Sequence, residues 1–144
     1  MYHLIILVGL PGSGKTYLGK NKYNNYIFFD DYLHNHGHTK ISDIMRKNHR
    51  VIIACPYFCD RNRFQNLILE IENILNVKID FIFFENNLEN CLYNLKDRPE
   101  AIKTCNILHY IYNVKYFLLI LSLSKINYSF NIQPVYKYSL DNND

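Results

Sequence analysis

Short apolar runs alternate along this chain with stretches in which apolar residues return every three or four positions, a pattern of strands separated by helices. His3 to Val8 is continuously apolar after its first residue and predicts a strand buried on both faces. Lys15 to Asn21 predicts the first helix, and Tyr26 to Phe29 a second strand that ends in Asp30 and Asp31. Tyr32 to Thr39 reads as a polar turn region. A short helix from about Ser42 then leads to a third strand, Arg50 to Ala54, closed by the loop Cys55-Pro56-Tyr57-Phe58-Cys59. Asp60 is placed to cap a helix whose Phe64, Leu67, Ile68, Ile71, Ile74 and Leu75 make one apolar face. Val77 to Phe84 predicts the fourth strand. Asn86 or Asn87 caps the next helix, with Leu88, Cys91, Leu92 and Leu95 as its stripe, and Lys96, Asp97 and Arg98 end it. Pro99 suits the first turn of a long helix reaching Leu121. Pro134 to Tyr138 predicts a last strand and Leu140 to Asp144 a polar tail.

Strands that alternate with helices imply crossover connections, hence an α/β fold with a mainly parallel sheet of about five strands covered by helices on both sides. The 144 residues fit one domain spanning 1–144. Ligands of such sheets collect at the C-terminal ends of the strands, where the segments after the first three strands converge.

The segment after the first strand, Gly9-Leu10-Pro11-Gly12-Ser13-Gly14-Lys15-Thr16, satisfies GxxxxGK[ST] at every fixed position and falls between a strand and a helix, as a phosphate-binding loop requires. Its glycines let the backbone curl so that the N–H groups of Gly12 to Thr16 face an anion at a helix N-terminus. Lys15 then reaches the β- and γ-phosphates of a nucleotide, and the Thr16 hydroxyl completes the shell of a Mg²⁺ ion. Gly9, Gly12, Ser13, Gly14, Lys15 and Thr16 are thus the candidate nucleotide-binding residues.

Composition narrows the setting more than the chemistry. With 49% hydrophobic and 20% charged residues the chain is globular, and its net charge of +3 is too small to diagnose nucleic-acid binding. Asparagine is so abundant that its runs carry little weight. The four cysteines, Cys55, Cys59, Cys91 and Cys105, form no CxxC pair, and a strand that opens almost at Met1 leaves no room for a signal peptide, so a reducing cytoplasm is the expected compartment. The most apolar stretch, Tyr116 to Leu123, is too short to span a bilayer, and no membrane partner is expected.

The pattern resembles the P-loop kinases, and within them the small group that includes phage-type polynucleotide kinase and zeta-toxin-like kinases. GLPGSGKT at Gly9 to Thr16 is similar to that group's phosphate loop. FFDDYL at Phe28 to Leu33 resembles its second-strand motif, VIIACPYFCDRNRF at Val51 to Phe64 its third strand and loop, and FFENNLENCLYNLKDR at Phe83 to Arg98 its fourth strand running into a basic lid. The resemblance implies a P-loop NTPase fold and an ATP- and Mg²⁺-dependent transferase that moves the γ-phosphate to a hydroxyl. It makes Asp30 the base for the accepting hydroxyl and Arg98 the lid arginine at the transferred phosphate. Asp31 is left to hold water on the metal beside Thr16. Lys15, Asp30 and Arg98 are therefore the expected catalytic residues. The leading acceptor is a polynucleotide 5′-OH; the alternatives are a nucleoside, sugar or metabolite, or nucleotide binding without transfer. The chain departs from the group at Ala54 and Cys55, where a carboxylate commonly ends the third strand, and at Leu33, where the polynucleotide kinases place an arginine.

Each of these residues also has a plainer reading. Adjacent aspartates can cap a polar turn, and Lys96 and Arg98 can be ordinary helix-end cations. His34, His36 and His38 would share one face if extended, but they read as a solvated loop. Arg61 and Arg63 stand in a first turn where cations are unfavourable, which points them equally at solvent or at an anionic substrate. Tyr57, Phe58 and Phe64 read as core. Nothing in the sequence gives the oligomeric state.

Overall fold

A computed structural model describes residues 2–138, so the tail Leu140 to Asp144 lies outside the described residues. Five parallel strands form one sheet in the order β2-β3-β1-β4-β5, flanked by helices. The strands are β1 (Tyr2–Val8), β2 (Ile27–Phe29), β3 (Arg50–Ala54), β4 (Val77–Phe84) and β5 (Ser129–Gln133). The helices are α1 (Lys15–Asn21), α2 (Tyr32–His36), α3 (Ile41–Lys47), α4 (Arg61–Ile71), α5 (Leu88–Asn94), α6 (Pro99–His109) and α7 (Val114–Leu123), with one 3₁₀ turn at Pro56–Cys59. This is the α/β architecture that the alternation of apolar periods requires.

The central strand explains its own composition. β1 pairs with β3 from His3↔Arg50 to Leu7↔Ala54 and with β4 from Tyr2↔Val77 to Val8↔Phe83, and Leu4 to Val8 are buried. A strand with neighbours on both edges and helices over both faces has no side left for a polar residue. One face of β4 presents Phe81 and Phe83 to Phe64 of α4 and Phe117 of α7, whose rings stack at 4.7 Å between centroids. Truncating a ring in such a cluster typically costs about 3–5 kcal/mol.

Local signals set most of the helix ends. The Asp60 side chain accepts from Asn62 N–H and caps α4, Asn87 accepts from Asn90 N–H and caps α5, and Pro99 opens α6. Phe64, Leu67, Ile68 and Ile71 form the buried face of α4, whereas Leu75 lies beyond its end and is exposed.

Three expectations are corrected. The long helix expected from Pro99 to Leu121 is two helices, because Asn113 caps a new start and the Asn86 side chain donates to the carbonyls of His109 and Tyr112, holding the break. The polar segment from Tyr32 to Thr39 opens with a helical turn, α2, in which His34 is exposed as a solvated residue, as is His38 beyond it, whereas the His36 ring lies against Phe29 and Tyr32. The last strand is Ser129–Gln133, not Pro134 to Tyr138. Proline has no N–H to give a ladder, and the residues after it leave the sheet and run back along α5.

Candidate phosphate-binding site

β1 ends at Val8, and the chain turns through Gly9 to Gly14 into α1. Gly12 and Gly14 have φ of +81° and +110°, conformations that a side chain strains. Space makes the same demand. A Cβ on Gly12 would sit 2.5 Å from the Cys91 carbonyl oxygen, and one on Gly14 would sit 2.0 Å from the Tyr138 hydroxyl.

Lys15 follows, and it is the most unusual side chain in the fold. It is buried, and its Nζ donates to the carbonyls of Gly9 and Leu10, each at 2.7 Å, and to Ser13 Oγ at 3.3 Å. All three acceptors are neutral. Burial pushes the ammonium below the ordinary lysine range, with the nearby Asp30 carboxylate acting the other way. A buried cation without a carboxylate in contact favours an incoming anion, here at the mouth of a helix N-terminus.

The next residue joins the loop to the end of β2. Thr16 Oγ1 donates to Asp30 Oδ2 at 3.0 Å, while Asp30 Oδ1 accepts the Asp31 N–H at 2.9 Å. Asp31 is left-handed, at φ +47°, and its Oδ1 faces the Cys55 thiol at 3.9 Å. A carboxylate from the turn after β2 thus reaches the end of β3, where the chain's own residues are Ala54 and Cys55. Burial raises the Cys55 and Cys59 thiols above the usual cysteine value, which keeps them protonated at neutral pH.

One cavity of about 540 Å³ collects these parts: Gly12, Gly14, Lys15 and Thr16 from the loop, Asp30 and Asp31 from the turn after β2, and Arg98 from the start of α6. Arg98 is exposed and has no ion pair among the described residues. Lys96 instead lies over the Tyr93 ring at 4.5 Å. Arg61 stacks on Tyr116 of α7 at 3.8 Å, a packing contact, while Arg63 pairs with Asp60 at 2.8 Å and lies over Tyr57. Phe58 and Phe64 are core, but Tyr57 lines the cavity.

The structure also brings residues to this cavity that the motif did not announce: Tyr17, Tyr57, Asn94 and Tyr138. Asn94 had a legible signal. Asn86, Asn90 and Asn94 recur at helical spacing and all bind backbone carbonyls, so they carry specific contacts despite the abundance of asparagine in the chain.

Thr16, Asp30 and Asp31 present hard oxygen donors within one cavity, a set that suits Mg²⁺ bound by few protein ligands together with phosphate oxygens. Among the described residues no group of three or more His, Cys, Asp or Glu side chains forms a metal cage.

No family model matches the chain. Over 140 residues it is 30% identical to the uncharacterized protein R277 of Acanthamoeba polyphaga mimivirus, an alignment covering 93% of this chain and 97% of that one. The chain belongs to the family of that mimivirus protein. Among solved structures, one from the PezAT chromosomal toxin–antitoxin system of Streptococcus pneumoniae superposes with a TM-score of 0.56 at 13% identity, covering 93% of this chain and 69% of that one. A protein of Eubacterium ventriosum gives a TM-score of 0.49 at 13% identity, covering 97% of this chain and 92% of that one. The first likeness concerns the fold alone, a five-stranded parallel sheet flanked by helices. No described helix is long and apolar enough to cross a membrane.

Proposed function

We propose that this protein is an ATP-dependent phosphotransferase that moves the γ-phosphoryl group to a hydroxyl acceptor. The observation that carries this reading is the buried Lys15 ammonium, bonded only to neutral oxygens, in a cavity that also holds Asp30 and Arg98. Transfer of a phosphoryl group needs little covalent help; it needs cations around the phosphate oxygens and a positioned nucleophile. Lys15 binds the β- and γ-phosphates, and the N–H groups of Gly12 to Thr16 line the nest. Arg98 meets charge that develops on the transferred group. Asp30, oriented by Thr16 and the Asp31 N–H, accepts the proton of the attacking hydroxyl. When bound at Thr16 and Asp31, Mg²⁺ would offset charge on the β- and γ-phosphate oxygens.

A polynucleotide 5′-OH is the leading acceptor on motif resemblance. A second cavity of about 480 Å³, lined by His34, His38, Tyr57 and Arg63, favours a small alcohol as the second reading, since it has the size of a small-molecule pocket and shares Tyr57 with the first. Incubation with γ-labelled ATP and Mg²⁺ against a panel of 5′-hydroxyl oligonucleotides, nucleosides and sugars tests both. Label in the oligonucleotide supports the first acceptor and label in a small alcohol the second. ATP binding with no acceptor labelled would leave a nucleotide-binding protein without transfer activity.

A further inference from the structure

After β5 the chain does not stop at the sheet edge. Residues 134–138 run along α5 as a strap held by side chains of that helix and of the turn before it. Glu85 Oε1 accepts the Val135 N–H at 3.0 Å, Asn90 Nδ2 donates to the Val135 carbonyl at 2.8 Å, and Lys137 pairs with Glu89 at 3.5 Å. Val135 itself is buried. The last tie is Asn94. Its Nδ2 donates to the Tyr136 carbonyl at 2.7 Å and to the Gly12 carbonyl at 2.9 Å, and its Oδ1 accepts the Tyr138 N–H at 2.8 Å. One carboxamide therefore joins the helix, the phosphate loop and the strap. An amide alone among the side chains of this size offers two donors and an acceptor in one plane.

The consequence falls at Gly14. With its N–H fixed on Asn94, Tyr138 lays its hydroxyl over Gly14, closely enough that only a glycine fits beneath it, and its ring lies 6.2 Å from that of Tyr17. Tyr138, Tyr17 and Gly14 line the same cavity as Lys15. The bond to Gly12 has its own effect, because a carbonyl held by Asn94 cannot swing into the cavity and repel a phosphate. Resting on the nucleotide reading given above, we infer that Asn94 is a positioning residue for nucleotide binding, which latches the strap to the phosphate loop so that Tyr138 forms one wall of the nucleotide site. Loop and strap then bind nucleotide as one unit.

The test is a double-mutant cycle on full-length chain, with Kd for ATP and for inorganic tripolyphosphate measured by calorimetry, and KM and kcat for any transfer found. Asn94→Ala is expected to raise Kd and KM for ATP about tenfold or more with kcat changed less than threefold, a split that general loss of structure would not produce. Tyr138→Ala is expected to weaken ATP by a similar factor. The double variant should be no weaker than about the worse single one, because either change already frees the wall. Asn94→Asp, which keeps the acceptor for Tyr138 and loses both donors, replaces Asn94→Ala in the cycle if that variant does not fold. Unchanged ATP affinity in the Asn94 variant, or effects that multiply in the double, would overturn the latch. Wild-type chain that binds tripolyphosphate and not ATP would overturn the nucleotide reading, and the cycle is then decided on tripolyphosphate; chain that binds neither overturns both.

Discussion

The Thr16 hydroxyl donates to Asp30 Oδ2 at 3.0 Å, so the last residue of the phosphate loop and the first after β2 are joined directly. This bond places Asp30 beside the hydroxyl expected to bind metal and beside the expected path of the acceptor. The two roles are separable. If Asp30 is the base, Asp30→Asn lowers kcat by about 10² to 10⁴ while ATP still binds, and added Mg²⁺ does not restore it. Asp31→Asn loses less and responds to Mg²⁺. Rescue of Asp30→Asn by metal would transfer the base role elsewhere, and full activity in both variants would remove the pair from the chemistry.

Lys15→Ala should abolish measurable ATP binding in a chain that keeps its circular dichroism, because no other buried cation faces the loop among the described residues. Undiminished ATP affinity in that variant would sink the phosphate-loop reading.

Proton linkage gives an independent check on the same residue. Burial lowers the Lys15 pKa from the ordinary 10.5, so between the lowered value and 10.5 the unfolded chain holds more protons than the folded one. Across that window the contribution of Lys15 makes the nucleotide-free fold more stable as pH rises. Phosphate favours the ammonium, so ATP binding in the same window takes up a proton and weakens with rising pH. Calorimetry in buffers of different ionisation enthalpy measures the uptake; none in wild type, or equal uptake in Lys15→Ala, would contradict the assignment.

Arg98→Ala is expected to lower kcat by about 10² or more with a modest change in ATP affinity, since an exposed cation at the cavity acts mainly on charge that appears during transfer. Turnover near wild type would make Arg98 an ordinary residue at the start of α6.

Gly12→Ala combines a strained φ of +81° with a Cβ 2.5 Å from the Cys91 carbonyl oxygen and 2.8 Å from Leu95 Cγ. A loss of about 2 kcal/mol or more in urea denaturation is expected, together with weaker ATP binding. Stability within about 0.5 kcal/mol of wild type would show that the loop relaxes without cost.

The sheet was legible wherever one physical signal dominated. Arg50–Ala54 and Val77–Phe84 are strands at the bounds that their apolar runs predict, and Asp60 and Pro99 mark helix starts as their chemistry requires. The signal failed where tertiary contacts decide. The Asn113 cap is a local signal for the break between α6 and α7, but the apolar periodicity runs on through it, and the break is held from a distance by Asn86. The segment after Pro134 has the alternation of a strand, yet its partners are side chains of α5 rather than a neighbouring ladder. The loop motif marked Gly12 to Thr16 and the second-strand motif marked Asp30 and Asp31 as candidates, and the structure lines one cavity with Gly12, Gly14, Lys15, Thr16 and both aspartates. The helical spacing of Asn94 with Asn86 and Asn90 is masked by the abundance of asparagine, and Tyr138 has no local signal because its contact with Asn94 joins residues far apart along the chain.

The strand order has a consequence for the order in which the protein can be made. β1 is the first of the five strands of this sheet to be made, yet its partners begin at Arg50 on one edge and at Val77 on the other. Until β4 has emerged, β1 has at most one neighbour, and its apolar face is open. The phosphate loop hangs from the end of that strand, and the strap that braces it follows only after β5. A nascent chain therefore carries the complete sequence motif long before it has the means to hold that motif in shape.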